Sequence, residues 1–147
     1  MEATRITTKE IQKTQELIDF IKKSPSCYHV IHNIAEELEE AGYEQLNEAK
    51  EWTLRKGGRY FVTRNQSSLI AFTLPEETLG GFLICASHSD SPTFKLKSNY
   101  EMTVDDRYLK LNVEKYGGMI CSTWLDRPLS VAGRVVVNRK DGIESVL

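Results

Sequence analysis

The rhythm of apolar and polar positions changes along the chain, and each change marks an element. Between Thr7 and Lys23, the residues Ile11, Leu17, Ile18 and Ile21 recur at helical spacing, which predicts an amphipathic helix. Thr7-Thr8-Lys9-Glu10 opens it with capping-box spacing, and Ser24-Pro25-Ser26 ends it. A second helix is expected from Ser26 or Cys27. It carries Val30, Ile31, Ile34, Ala35 and Leu38 on one face, and Glu36, Glu37, Glu39 and Glu40 mainly on the other. Gly42 reads as the residue just beyond its C-terminus.

From Trp52 onward the pattern turns to strands. Arg59 to Arg64 and Leu69 to Leu74 are β-prone runs on either side of the turn-forming Asn65-Gln66-Ser67-Ser68. Phe82-Leu83-Ile84-Cys85-Ala86 is unbroken by polar residues, the mark of a strand buried on both faces of an α/β sheet. It runs into Ser87-His88-Ser89-Asp90-Ser91-Pro92, and functional residues of open α/β sheets gather at such carboxyl ends. After Pro92 the apolar residues alternate instead. Met102 and Val104, then Leu109, Leu111 and Val113, flank Asp105-Asp106-Arg107 and predict a half-exposed hairpin. A further strand is expected over Val131 to Val137, with a turn at Asp141-Gly142 and a new strand from Ile143. A helix-plus-sheet half thus runs to about Phe94, and an all-β half follows. The chain stops at the strand-like Ser145-Val146-Leu147, which reads as an interruption inside a domain.

Composition narrows the functional classes. In 147 residues, 19 basic side chains against 21 acidic ones leave a net charge of −2. That balance offers neither nucleic acid nor an anionic membrane an electrostatic footing. The N-terminus has no secretory h-region, and no apolar run is long enough for a bilayer. Cys27, Cys85 and Cys121 are odd in number and widely spaced, so reduced thiols and a cytoplasmic location are expected.

The candidate chemistry centres on His88 and Asp90. A neutral imidazole is a common metal ligand, and a ligating His usually donates its other ring N–H to a carboxylate. Residues two apart in extended chain face the same way, so one pocket could receive both side chains. The plain alternative is a strand-end His bonded to backbone, with Asp90 as a turn residue. His29, His32 and Glu36 form a rival set on the second helix, with His32 and Glu36 at i, i+4. The helical zinc signature H-E-x-x-H is absent, and a solvated face is the better reading. Cys85 reads as a small hydrophobe within its strand. Gly57-Gly58 and Gly117-Gly118 read as turns, and Trp124-Leu125-Asp126-Arg127-Pro128 as a structural corner containing an adjacent ion pair.

Taken in order, several segments resemble the aspartyl aminopeptidase family of zinc metallopeptidases. They include Ser24-Pro25-Ser26-Cys27-Tyr28-His29-Val30, Gly57-Gly58-Arg59-Tyr60-Phe61-Val62-Thr63-Arg64-Asn65 and Ser87-His88-Ser89-Asp90-Ser91-Pro92. Val113-Glu114-Lys115-Tyr116-Gly117-Gly118 and Trp124-Leu125-Asp126-Arg127-Pro128 continue the series. Ser87 and Thr93 are departures that leave the His-x-Asp pair intact.

The resemblance implies an α/β fold. Residues 1–94 would be the N-terminal part of a catalytic domain with two helices and a mixed sheet. Residues 95–147 would begin a β-rich dimerisation domain. It also implies two zinc ions, His88 as a ligand to one of them, and Asp90 as the catalytic carboxylate that buttresses His88. The expected reaction removes N-terminal residues, preferably Asp or Glu, from peptides in a cytoplasmic homo-oligomer. A bridging Asp, another carboxylate, a second His and a general-base Glu are expected downstream, so this stretch alone is expected to be inactive. The alternative is a non-enzymatic interaction module that keeps the assembly surface.

Overall fold

Thr7 starts the first helix as its spacing predicts. In the computed structural model, which describes residues 6–78 and 80–147, helix α1 spans Thr8–Lys23. The Thr7 hydroxyl accepts the Glu10 N–H at 3.3 Å, and the Glu10 carboxylate accepts the Thr7 N–H at 2.7 Å. Two orphan N–H groups are thereby satisfied reciprocally. The predicted apolar stripe forms but stays uncovered, with Ile11, Leu17 and Ile21 about three-fifths exposed.

Helix α2 spans Cys27–Glu40, and the Ser26 hydroxyl caps it by accepting the His29 N–H. Gly42 takes the left-handed φ of +81° expected of it. Its N–H donates to the Glu39 carbonyl, and the Tyr43 N–H donates to the Leu38 carbonyl, both at 2.9 Å. That pair of bonds closes a helix by satisfying its last carbonyls. Asn33, buried in α2, donates from its side-chain amide to the Lys23 carbonyl at 3.1 Å and to Ser24 Oγ at 2.9 Å. The end of α1 is thus tied to α2 by a polar group that burial obliges to find partners.

A mixed sheet lies against α2. Strand β1 (Glu44–Leu46) runs parallel to β2 (Arg59–Arg64), which pairs antiparallel with β3 (Ser68–Thr73). With only three residues, β1 is too short to show alternation, and the pattern gave no sign of it. Tyr60 and Phe61 are fully buried neighbours on opposite faces of β2. Tyr60 sits opposite Phe72 with ring centroids 5.6 Å apart, and Trp52 extends the cluster at 6.4 Å from Phe72. Gly58 leaves room for that ring, since a Cβ there would lie 2.4 Å from Tyr60 Cε2 and Oη. Asn65 and Gln66 turn the hairpin with left-handed φ of 52° and 56°, and the Ser67 N–H donates to the Arg64 carbonyl at 3.1 Å. Such turns match the twist of paired strands.

The expected buried strand at Phe82–Ala86 does not form. The segment has no strand partner among the described residues. Phe82 and Ile84 are about four-fifths exposed, Leu83 fully so, and Cys85 is exposed rather than packed. An unbroken apolar run states what environment a strand needs. The described residues supply neither flanking strands nor covering helices for it.

The chain divides into two compact units. One holds the described residues of Met1–Ser89 together with Ala132–Leu147, and the other is Asp90–Val131. In the second unit, β4 (Thr93–Val104) and β5 (Tyr108–Tyr116) form the predicted hairpin, with a register shift between Leu96 and Glu101. Asp105 and Asp106 turn it with φ of 52° and 51°. Phe94 meets Trp124 edge-on at 5.7 Å, beside the 3₁₀ turn Cys121–Trp124, and Met119 is buried. In the first unit, β6 (Val135–Arg139) and β7 (Gly142–Val146) make a second hairpin. Strand β6 starts four residues later than the apolar pattern predicts, its first rung pairing Val135 with Val146. The α/β class, with two helices and a mixed sheet, stands.

Candidate metal centre

The residue that follows His88 is held within its own unit. Within the first unit, Ser89 Oγ donates to the Ser67 carbonyl at 2.9 Å, in the β2–β3 turn. The same turn receives Arg134. Its Nη1 donates to the Asn65 carbonyl at 2.8 Å and its Nη2 to Asn65 Oδ1 at 3.1 Å. The guanidinium carbon also lies 4.4 Å from the centre of the Tyr28 ring, within range of a cation–π attraction. A single turn thus anchors the residue after His88 and the strand entry at Val135. His88 itself is exposed.

Within the second unit, the Tyr116 hydroxyl donates to the Asp90 carboxylate. The strand register explains why. Tyr116 pairs with Thr93 at the end of the hairpin, three residues past Asp90. Gly117 then takes a φ of +71°, and a Cβ there would come within 3.4 Å of Pro92. The end of β5 therefore closes over the segment that leads into β4. Lys95 places its ammonium 5.7 Å from the centre of the Tyr116 ring. Asp90 is half-buried. The boundary between the units falls after Ser89, so His88 belongs to the first and Asp90 to the second.

In donor type, an imidazole and a carboxylate suit zinc. In number they fall short, because zinc prefers four ligands. Among the described residues, no group of three or more His, Cys, Asp or Glu side chains is arranged to hold a metal ion.

The rival set on α2 is otherwise engaged. His29 Nδ1 lies 2.8 Å from Ser26 Oγ, at the helix cap. His32 Nε2 lies 3.4 Å from Glu36 Oε1, with both side chains more than half exposed. His32 and Glu36 thus lie on the solvated face expected of them, whereas His29 is half-buried at the cap. Trp124 packs on Phe94 as a structural corner would, but Arg127 donates to the Thr123 carbonyl at 3.5 Å rather than pairing with Asp126. Spacing along the chain assigns Tyr116 no role of its own. Its only signal was its place before Gly117-Gly118, a turn that lets β5 end close to Pro92.

Known proteins show what the chain resembles. The model of a family described as aminopeptidase I zinc metalloprotease (M18) matches residues 20–147. A probable M18 family aminopeptidase 2 of Clostridium acetobutylicum is 49% identical over 136 residues, covering 91% of this chain and 31% of the relative. Aspartyl aminopeptidase 1 of Schizosaccharomyces pombe is 44% identical over 131 residues, covering 86% of this chain and 28% of the relative. The structure of the S. cerevisiae mApe1 dodecamer superposes with a TM-score of 0.77 at 34% identity, over 89% of this chain and 32% of that one. The chain therefore spans about three tenths of the length of the proteins it matches. No helix among the described residues is long and apolar enough to cross a membrane. With most of its length matched by one family model, the chain belongs to the M18 family of aminopeptidase I zinc metalloproteases.

Proposed function

We infer that this chain is the His88-bearing part of a metalloaminopeptidase that removes N-terminal residues, preferably Asp or Glu, from peptides. The observation that carries the reading is the family match over residues 20–147, which contains His88-Ser89-Asp90. The name of the S. pombe relative supports the acidic preference. In this reading one ring nitrogen of His88 ligates one of two zinc ions. Asp90 accepts the other ring N–H, fixing the tautomer and raising ligand basicity. Zinc bound there would supply a Lewis acid that polarises a peptide carbonyl and acidifies water. The other ligands and the general base belong to sequence beyond these residues, and the chain by itself is inactive.

The same reading assigns residues 1–94 to the catalytic domain and 95–147 to the start of the dimerisation domain. It is supported by the lack of any α-helix among the described residues after Phe94, and by the dodecameric state named for the mApe1 structure. Assembly would be homo-oligomeric and cytoplasmic. One observation favours the second reading, a non-enzymatic module that keeps an assembly surface. On β4–β5, Met102, Leu109 and Leu111 are about half exposed or more, the kind of surface that association covers.

The test is release of the first residue from peptides beginning with Asp, Glu or Leu. The zinc-loaded 147-residue chain should release none. The same sequence extended to the length of its relatives should release Asp and Glu faster than Leu, and His88→Ala should abolish this. Activity of the short chain would overturn the inactive-fragment part. An extended protein without activity would favour the interaction module.

A further inference from the structure

The β2–β3 turn carries two attachments that a hairpin does not need in order to close. Asn65 and Gln66 already close it with left-handed φ of 52° and 56°, the backbone that a two-residue turn requires. Ser89 Oγ nonetheless donates to the Ser67 carbonyl at 2.9 Å, across 22 residues of sequence. From 69 residues away, Arg134 donates to the Asn65 carbonyl at 2.8 Å and to Asn65 Oδ1 at 3.1 Å. Tyr28 backs the guanidinium with its ring centre at 4.4 Å. Ser67, Ser89, Arg134 and Tyr28 are all half-buried, so water competes less for these contacts than at an open surface. All of these residues lie in the first unit, as does His88. The chain leaves that unit after Ser89 and re-enters it at Ala132, so one turn fastens both crossings.

We propose that Ser89 and Arg134 are positioning residues for His88, both acting through this turn. The proposal rests on the reading of His88 as a zinc ligand. Ser89 is the next residue in the chain, so a hydroxyl tied to the Ser67 carbonyl fixes the backbone that carries the imidazole. That carbonyl is a fixed anchor only while the turn keeps its shape. The planar fork of Arg134 secures the shape at Asn65, two residues before Ser67. Neither residue has to touch the imidazole or the metal. A ligand whose backbone is ordered before binding spares the metal the entropy of ordering it. Ordering one residue only on binding weakens affinity about 5- to 30-fold.

The experiment titrates zinc ion, in competition with a chelator, against the protein extended to the length of its relatives. Urea unfolding in excess chelator is followed in parallel. Ser89→Ala and Arg134→Ala are each expected to weaken zinc binding about 5-fold or more. Their double variant should bind little more weakly than the weaker single one, because both act through one turn. Ser89→Thr, which keeps a hydroxyl, should bind nearly as wild type does, whereas Ser89→Val, of the same shape without it, should not. Asn33→Ala, which loosens the α1–α2 tie instead, should lose stability but keep wild-type zinc affinity. If His88→Ala loses zinc while either Ser89→Ala or Arg134→Ala keeps wild-type affinity, the proposal falls and the ligand reading stands. If Asn33→Ala weakens zinc as much, or Ser89→Thr binds as weakly as Ser89→Val, the effect is one of general stability and the proposal falls. It falls equally if the hydroxyl-free Ser89 variants or Arg134→Ala do not fold, since the role is then structural. If wild type takes up no zinc, or His88→Ala takes up as much, the ligand reading falls and the proposal with it.

Discussion

Arg134 reaches across 69 residues of sequence to donate to both the carbonyl and the side-chain oxygen of Asn65. Asn65 is the first left-handed residue of the β2–β3 turn, so the fork clamps a turn that β-hairpin geometry alone would hold loosely. The ring of Tyr28 supports the guanidinium from one side. Arg134→Ala is expected to cost about 1–2 kcal/mol, from one charge-assisted hydrogen-bond pair and a cation–π contact on a half-buried residue. Arg134→Lys should recover less than half of that, because an ammonium cannot reproduce the planar fork. Urea denaturation of the three proteins would check both outcomes.

Asn33 is the buried polar group that joins α1 to α2. Asn33→Ala strands the Lys23 carbonyl and the Ser24 hydroxyl without their donor, at a cost of about 1–3 kcal/mol. Asn33→Leu should be no better, since its added apolar surface faces the same polar atoms. The urea midpoint should fall in both variants with little change in the slope of the transition.

The capping box at Thr7 makes the start of α1 sensitive to acid. Hydrogen bonds from the Thr7 backbone and side chain hold the Glu10 carboxyl below its ordinary range. A depressed folded-state pKa contributes stability that is complete above the unfolded value, about 4.3 for Glu. That contribution disappears as pH falls through the lower folded value. Backbone amides of the first turn of α1 should therefore exchange faster, relative to the helix centre, as pH falls below about 4. Glu10→Gln, which leaves no carboxyl to titrate there, should remove this pH dependence, as read by hydrogen exchange with mass spectrometry.

Phe82, Leu83 and Ile84 present an exposed apolar segment that joins no sheet among the described residues. Extended apolar segments of this kind associate. The 147-residue chain is expected to bind a hydrophobic dye and to self-associate at micromolar concentration. Leu83→Lys should reduce both effects while leaving far-UV circular dichroism unchanged, because the wild-type side chain is fully exposed. Light scattering across a concentration series distinguishes the two proteins.

Features that depend on a few adjacent residues were legible in the sequence. Thr7 with Glu10, Ser26 at the start of α2, Gly42 at its end, and the hairpins around Asn65-Gln66 and Asp105-Asp106 all formed where their residue types placed them. Features set by distant chain were not. Strand β1 exists because β2 pairs with it, and three residues carry no period of their own. Phe82–Ala86 shows the converse case, a strand-like pattern whose partners the described residues do not include. At the candidate site, His-x-Asp stood out as a motif, whereas Tyr116 is joined to Asp90 only through the register of a hairpin. Spacing along the chain does not encode that register.

Anomalous diffraction can show whether His88 ligates zinc, independently of any activity. Crystals of the zinc-loaded protein, extended to the length of its relatives, would be measured on either side of the zinc absorption edge. The expected result is an anomalous peak about 2.0–2.1 Å from a ring nitrogen of His88, with the Asp90 carboxylate on the other ring nitrogen. A fully occupied zinc peak remote from His88, on His29 or His32 for instance, would contradict the account.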